Sequence, residues 1–120
     1  MKNGILVLIE HLKGSIQEIS FEMLGIGRRI ANELKVPLFG IIIGKNVTQL
    51  SSNFGVVDSI IIIDNEKLEM PPPSITAYLL DKVMQLKEVS LVLMGGTNVS
   101  AGIGPILSHR LKIPFFNFSN

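Results

Sequence analysis

The chain has 120 residues, a net charge of +1, 47% hydrophobic and 18% charged residues, and no cysteine. That length suits one domain able to bury a core without staples, and the lack of cysteine excludes disulfides, thiolate zinc sites and a cysteine nucleophile. With no basic block, one Tyr and no Trp, nucleic-acid binding has little electrostatic or stacking support.

Five short aliphatic runs recur along the chain, at 5–10, 38–44, 59–63, 90–94 and 114–118. The first four are continuously apolar, as strands covered on both faces of a parallel sheet are. None approaches the roughly 18 apolar residues of a membrane span. The first is cut off by Glu10 too early for a signal-peptide core, so the expected location is cytoplasmic.

Helix-period segments lie between the runs. The first takes Ser20 as N-cap and carries Met23, Ile26, Ile30, Ala31 and Leu34 on one stripe, with Arg28 and Arg29 on a solvated face. Gly25 and Gly27 each weaken that helix by about 1 kcal/mol relative to Ala, which a close helix–sheet approach would offset. A shorter segment runs from an Asn46 cap through Val47, Leu50 and Phe54 to Gly55. The third follows Pro71-Pro72-Pro73, with Ser74 as cap and Ile75, Leu79, Val83 and Leu86 in register. The fourth starts between Ser100 and Gly104 and keeps Pro105 in its first turn, where a missing N–H costs little. His109 complements the carboxyl end of this last helix.

This alternation predicts an α/β domain: a three-layer, doubly wound parallel sheet of about five strands with helices on both faces. Two strand orders are common, 3-2-1-4-5 and 2-1-3-4-5. The first is preferred, and it puts the switch point between the first and fourth strands. Ligands of open α/β sheets lodge at that point, beyond the carboxyl ends of the strands. The candidate cofactor-binding residues are therefore Gly95, Gly96, Thr97, Asn98, Ser100 and Gly102 in the loop after the fourth strand, with Glu10 and His11 on the facing lip.

The loop has two readings. As a phosphate site, Gly95 and Gly96 admit close backbone approach, Thr97 and Ser100 donate hydroxyls, and a helix start faces the anion. As a tight strand–helix turn, it needs glycine for backbone reasons alone. No Lys or Arg lies between Lys87 and Arg110 to neutralise a phosphate, and neither a P-loop nor GxGxxG is present. Glu10 and His11 read as an exposed lip with a structural hydrogen bond, since no HxH or HExxH spacing supports a metal. No GxSxG or Ser–His–Asp set appears, so no catalytic residue is assigned.

Three segments together resemble the N-terminal domain of the α subunit of electron transfer flavoproteins. They are ILVLIEHLKGSI with FEMLGIGRRIA, then FGVVDSIIIIDNEKLE, then LVLMGGTNVSAGIGPILSHRL, in which Thr97, Pro105, Arg110 and Leu111 keep the family spacing. Where that family usually has Gly-Arg-Asp, this chain has Ser100-Ala101-Gly102. The resemblance implies an adenine-nucleotide α-hydrolase-like fold and a non-catalytic scaffold, an electron-transfer component paired with a β-type subunit. It also implies FAD held mainly by a second domain that would begin only after Asn120, so that the expectation is either the first domain alone or a free-standing relative. The alternative is a stand-alone protein binding AMP or ATP, and a third is a homo-oligomeric structural protein. Neither nucleic acid nor membrane is an expected partner.

Overall fold

A computed structural model describes residues 4–96 and 102–111. In chain order the elements are β1 (Gly4–Leu8), a small hairpin of β2 (His11–Leu12) and β3 (Ser15–Ile16), α1 (Glu18–Leu34), β4 (Leu38–Gly44), β5 (Ser59–Asp64), α2 (Pro73–Lys87), β6 (Val89–Leu93) and α3 (Ile103–Leu111). Short 3-10 turns occupy Thr48–Asn53 and Glu66–Leu68. The main sheet is parallel with order β5-β4-β1-β6, which is the expected 3-2-1-4. The fifth expected strand, 114–118, lies outside the described residues.

β1 is the centre of the molecule. All five of its residues are buried, and it pairs Ile5 with Leu38 on one side and with Leu91 on the other. Alternation along a strand sends successive side chains to opposite faces. Ile5, Val7 and Ile9 pack with Met23, Leu24 and Ala31 of α1. Leu6 and Leu8 pack with Ala77, Leu80 and Met84 of α2 and with Ile103 and Leu107 of α3. A strand buried on both faces has no room for a polar residue, so the run is aliphatic throughout.

Helix boundaries differ from the sequence reading for local reasons. α1 starts at Glu18 with Gln17 at the cap position, and Ser20 lies inside it, fully buried. Its hydroxyl accepts from the Glu10 N–H at 2.7 Å, so a long-range bond has taken the oxygen expected to cap. The segment expected after Asn46 is only a 3-10 turn. Asn46 is left-handed, and Asp64 does the capping, accepting from the N–H groups of Asn46, Val47 and Thr48 at 2.8, 3.0 and 3.1 Å. α2 is entered through Pro72 with no side-chain cap from Ser74. Its buried face is Ala77, Leu80, Val83 and Met84, whereas Ile75 and Leu86 are exposed, as is Leu34 of α1.

Two arginines expected on solvated or unassigned positions have partners. Arg28 donates to the Val56 carbonyl at 2.8 Å and lies 3.5 Å from Asp58, pinning α1 to the entry of β5. Arg110 of α3 donates to Asp81 of α2 at 2.8 and 3.0 Å and covers the Tyr78 ring at 5.3 Å. Asp81 is buried and also accepts from Gln85. This cluster fixes how α3, and hence the end of the loop before it, sits on α2.

Gly27 and Gly25 separate two causes of glycine in a helix. A Cβ on Gly27 would come within 2.9 Å of Leu38 and 3.1 Å of Val7, so α1 lies against the sheet there, while Gly25 has open space. We expect Gly25→Ala to raise stability by about 0.5–1 kcal/mol through helix propensity. Gly27→Ala gains the same propensity but meets an overpacking cost of roughly 1–3 kcal/mol, so its urea midpoint will not rise. Equal midpoints for the two variants would contradict the close approach.

Acid sensitivity follows from three aspartates held below the ordinary value of 3.8. The causes are chiefly the Leu38 N–H for Asp58, the Thr48 hydroxyl for Asp64, and the Gln85 amide, then Arg110, for Asp81, with burial opposing in each case. Because the folded values lie below the unfolded one, their stabilisation is full above about pH 4 and is lost as pH falls through the folded values. Urea midpoints measured across that range should fall in the wild type. In Asp81→Asn they should start lower and fall less steeply, and an unchanged slope would contradict this assignment.

Candidate functional site at the carboxyl edge of the sheet

β1 runs out into Ile9, Glu10 and His11, and these last two residues tie it to both neighbouring strands. Glu10 is 1% exposed rather than an exposed lip. Its carbonyl accepts from the Gln17 N–H at 2.7 Å, and the Ser20 hydroxyl donates to the same carbonyl at 3.2 Å. With the backbone clamped against the start of α1, the side chain points across to β6. There Glu10 Oε2 accepts a hydrogen bond from the Gly95 N–H, just beyond the end of that strand. The nearby amino end of α1 favours a negative group.

His11 goes the other way. Its Nε2 donates to the Ile43 carbonyl of β4 at 2.8 Å, which fixes the Nε2–H tautomer for a neutral ring. The ring lies over Gly44, where a Cβ would come within 2.7 Å of it. Nδ1 is buried and has no hydrogen-bond partner among the described residues. Lys13 and Gly14, both at positive φ, turn the chain back into β3, the geometry of a two-residue hairpin.

Gly95 is required sterically. A Cβ there would fall on Ile19 of α1 and on Glu10 Oε2. Gly96 and Gly102 both have positive φ, which glycine adopts without steric cost. The structure therefore brings together Glu10, His11 and Gly95 from the expected set, with Gly96 and Gly102 bounding the loop. Thr97, Asn98 and Ser100 lie outside the described residues. His109 sits in the last turn of α3, as expected.

A cavity of about 190 Å³ opens beside this edge. Leu8, Ile43, Thr76 and Ile103 are in its walls, together with Glu10, His11 and Leu12 and with Glu69, Met70, Pro71 and Pro73. The contribution of 69–71 was not legible in the sequence, where the proline run marked only the lead into the third helical segment. Its described lining is largely apolar and includes neither Lys nor Arg. Among the described residues no group of three or more His, Cys, Asp or Glu could hold a metal ion. Nor is any described helix long and apolar enough to cross a membrane.

Fold and edge define an open parallel α/β domain whose described rim lies at a switch point between β1 and β6. A family model of the electron transfer flavoprotein domain matches residues 5–118, and the chain belongs to that family. It is 27% identical over 112 residues to a lactate dehydrogenase (NAD(+),ferredoxin) subunit LctC of Acetobacterium woodii, covering 91% of this chain and 27% of that protein. It is 28% identical to the acryloyl-CoA reductase electron transfer subunit beta of Anaerotignum propionicum, covering 89% of this chain and 30% of that one. An electron transfer flavoprotein subunit alpha of Megasphaera elsdenii is 27% identical, with 91% and 33% covered. The chain thus spans a third or less of the length of these relatives.

The steric role of Gly95 is testable against a glycine with no neighbours. Gly95→Ala should lower stability by about 1–3 kcal/mol, whereas Gly55→Ala, where nothing lies within 4 Å, should leave it unchanged or slightly higher. Thermal melts of the two variants check this, and equal melting temperatures would show that the rim is not closed at Gly95.

Proposed function

We propose that the chain serves as a non-catalytic scaffold domain in an electron transfer flavoprotein-type assembly. It packs against a β-type subunit and lends one wall to an FAD held mainly by another domain or subunit. The family match over residues 5–118 carries this reading. That its relatives include an electron transfer subunit supports a role within an electron-transfer complex. As a single α/β domain, residues 1–120 would supply position and cofactor environment while the flavin supplies the redox chemistry.

FAD fits poorly as a ligand of this domain alone. The cavity of about 190 Å³ is below the ~300–1,000 Å³ typical even of drug-sized ligands. The Gly95 N–H that a pyrophosphate would use is engaged by Glu10, and the same geometry gives AMP no support. No redox step is therefore assigned to these residues. The loop residues Gly95, Gly96, Thr97, Asn98, Ser100 and Gly102, with Glu10 and His11, are proposed as the rim turned toward the cofactor of the assembled complex.

Coexpression with a β-type electron transfer flavoprotein subunit tests the reading. Size-exclusion chromatography should give a mixed complex. With the flavin-holding domain also present, that complex should show visible flavin absorbance. Separate elution of the two chains at micromolar concentration, in the presence of that domain, would contradict it.

A further inference from the structure

We propose that Glu10 is a built-in anion: its carboxylate occupies the position at the switch point where a ligand phosphate would bind, and so makes the rim refuse phosphorylated ligands. In open α/β sheets that position lies between the carboxyl ends of the strands flanking the switch point, here β1 and β6. Backbone N–H groups at such loops are what a phosphate uses. In this chain one of them, from Gly95, donates to Glu10 Oε2 across 85 residues of sequence.

The arrangement is built rather than incidental. The Glu10 backbone is held at both ends, its N–H by Ser20 Oγ at 2.7 Å and its carbonyl by Gln17 and Ser20. Residue burial is 99% complete, so the side chain does not swing out to admit another anion. The space a Gly95 side chain would fill is taken by Ile19 and by the carboxylate itself. An arriving phosphate would meet a carboxylate in place of a donor, and the described lining of the adjoining cavity has no Lys or Arg. Like charges brought together where water is excluded disfavour each other strongly. Glu10 is thus a specificity-determining residue, and the rim is left to protein or to the uncharged parts of a cofactor. This inference is independent of the pairing proposed above.

Amide chemical shifts in the purified chain, titrated with inorganic phosphate, AMP and adenosine, test it directly. In the wild type, millimolar phosphate or AMP should leave the Gly95 amide unmoved. In Glu10→Ala both should shift that amide and bind roughly tenfold or more tighter than to the wild type, while Glu10→Gln, whose amide still fills the position, should gain little, and adenosine behaves alike in all three proteins. A phosphate-induced shift at Gly95 in the wild type would overturn the proposal even if neither variant folds. So would a folded Glu10→Ala variant with no gain for phosphate or AMP.

Discussion

Two adjacent residues hold the carboxyl edge of the sheet together. Glu10 reaches from the end of β1 to Gly95 beyond β6, and His11 reaches from the same point to the Ile43 carbonyl of β4. Three neighbouring strands are thereby joined at the rim where a parallel α/β domain exposes its loops. The consequences spread in both directions. Glycine is required at 44 and 95 because the ring and the carboxylate occupy the space of their side chains, and Ser20 leaves its capping role because it clamps the Glu10 backbone.

The rim depends in turn on β1 being buried on both faces. α1 presses on one face closely enough to need Gly27, and α2 with α3 covers the other. The Asp81–Arg110 pair locks those two helices together, which sets where the loop after β6 must end. A partly buried pair of this kind is costly to break, because removing one partner leaves an uncompensated charge. A small, mainly apolar cavity and an acidic group thus lie at the switch point of a domain that belongs to the electron transfer flavoprotein domain family.

The strand pattern was legible because a two-sided parallel sheet forces unbroken aliphatic runs, and the observed order is the preferred one of the two that such runs commonly adopt. Glu10, His11 and Gly95 were legible as a place, from the loop chemistry at the switch point. Their bonds were not. A carboxylate at the end of a strand reads as solvent-exposed unless the N–H it meets is known, and Gly95 is 85 residues away. The α2 face was misread for a related reason. Apolar period alone put Ile75 and Leu86 inward, but Asp81 is buried among Ala77, Leu80 and Met84 because α3 brings Arg110 to it. Asp64 as the cap for 46–48 was hidden likewise, since the contact is made by strand pairing between β4 and β5.

Hydrogen exchange at the Gly95 amide tests the central tie most directly, because that proton lies past the last ladder pair of β6 and owes its protection to Glu10. In the wild type it should exchange slowly, on the scale of the Leu6 and Val7 amides in β1. An amide at Gly95 that exchanges as fast as exposed loop amides, while β1 stays protected, would contradict the account.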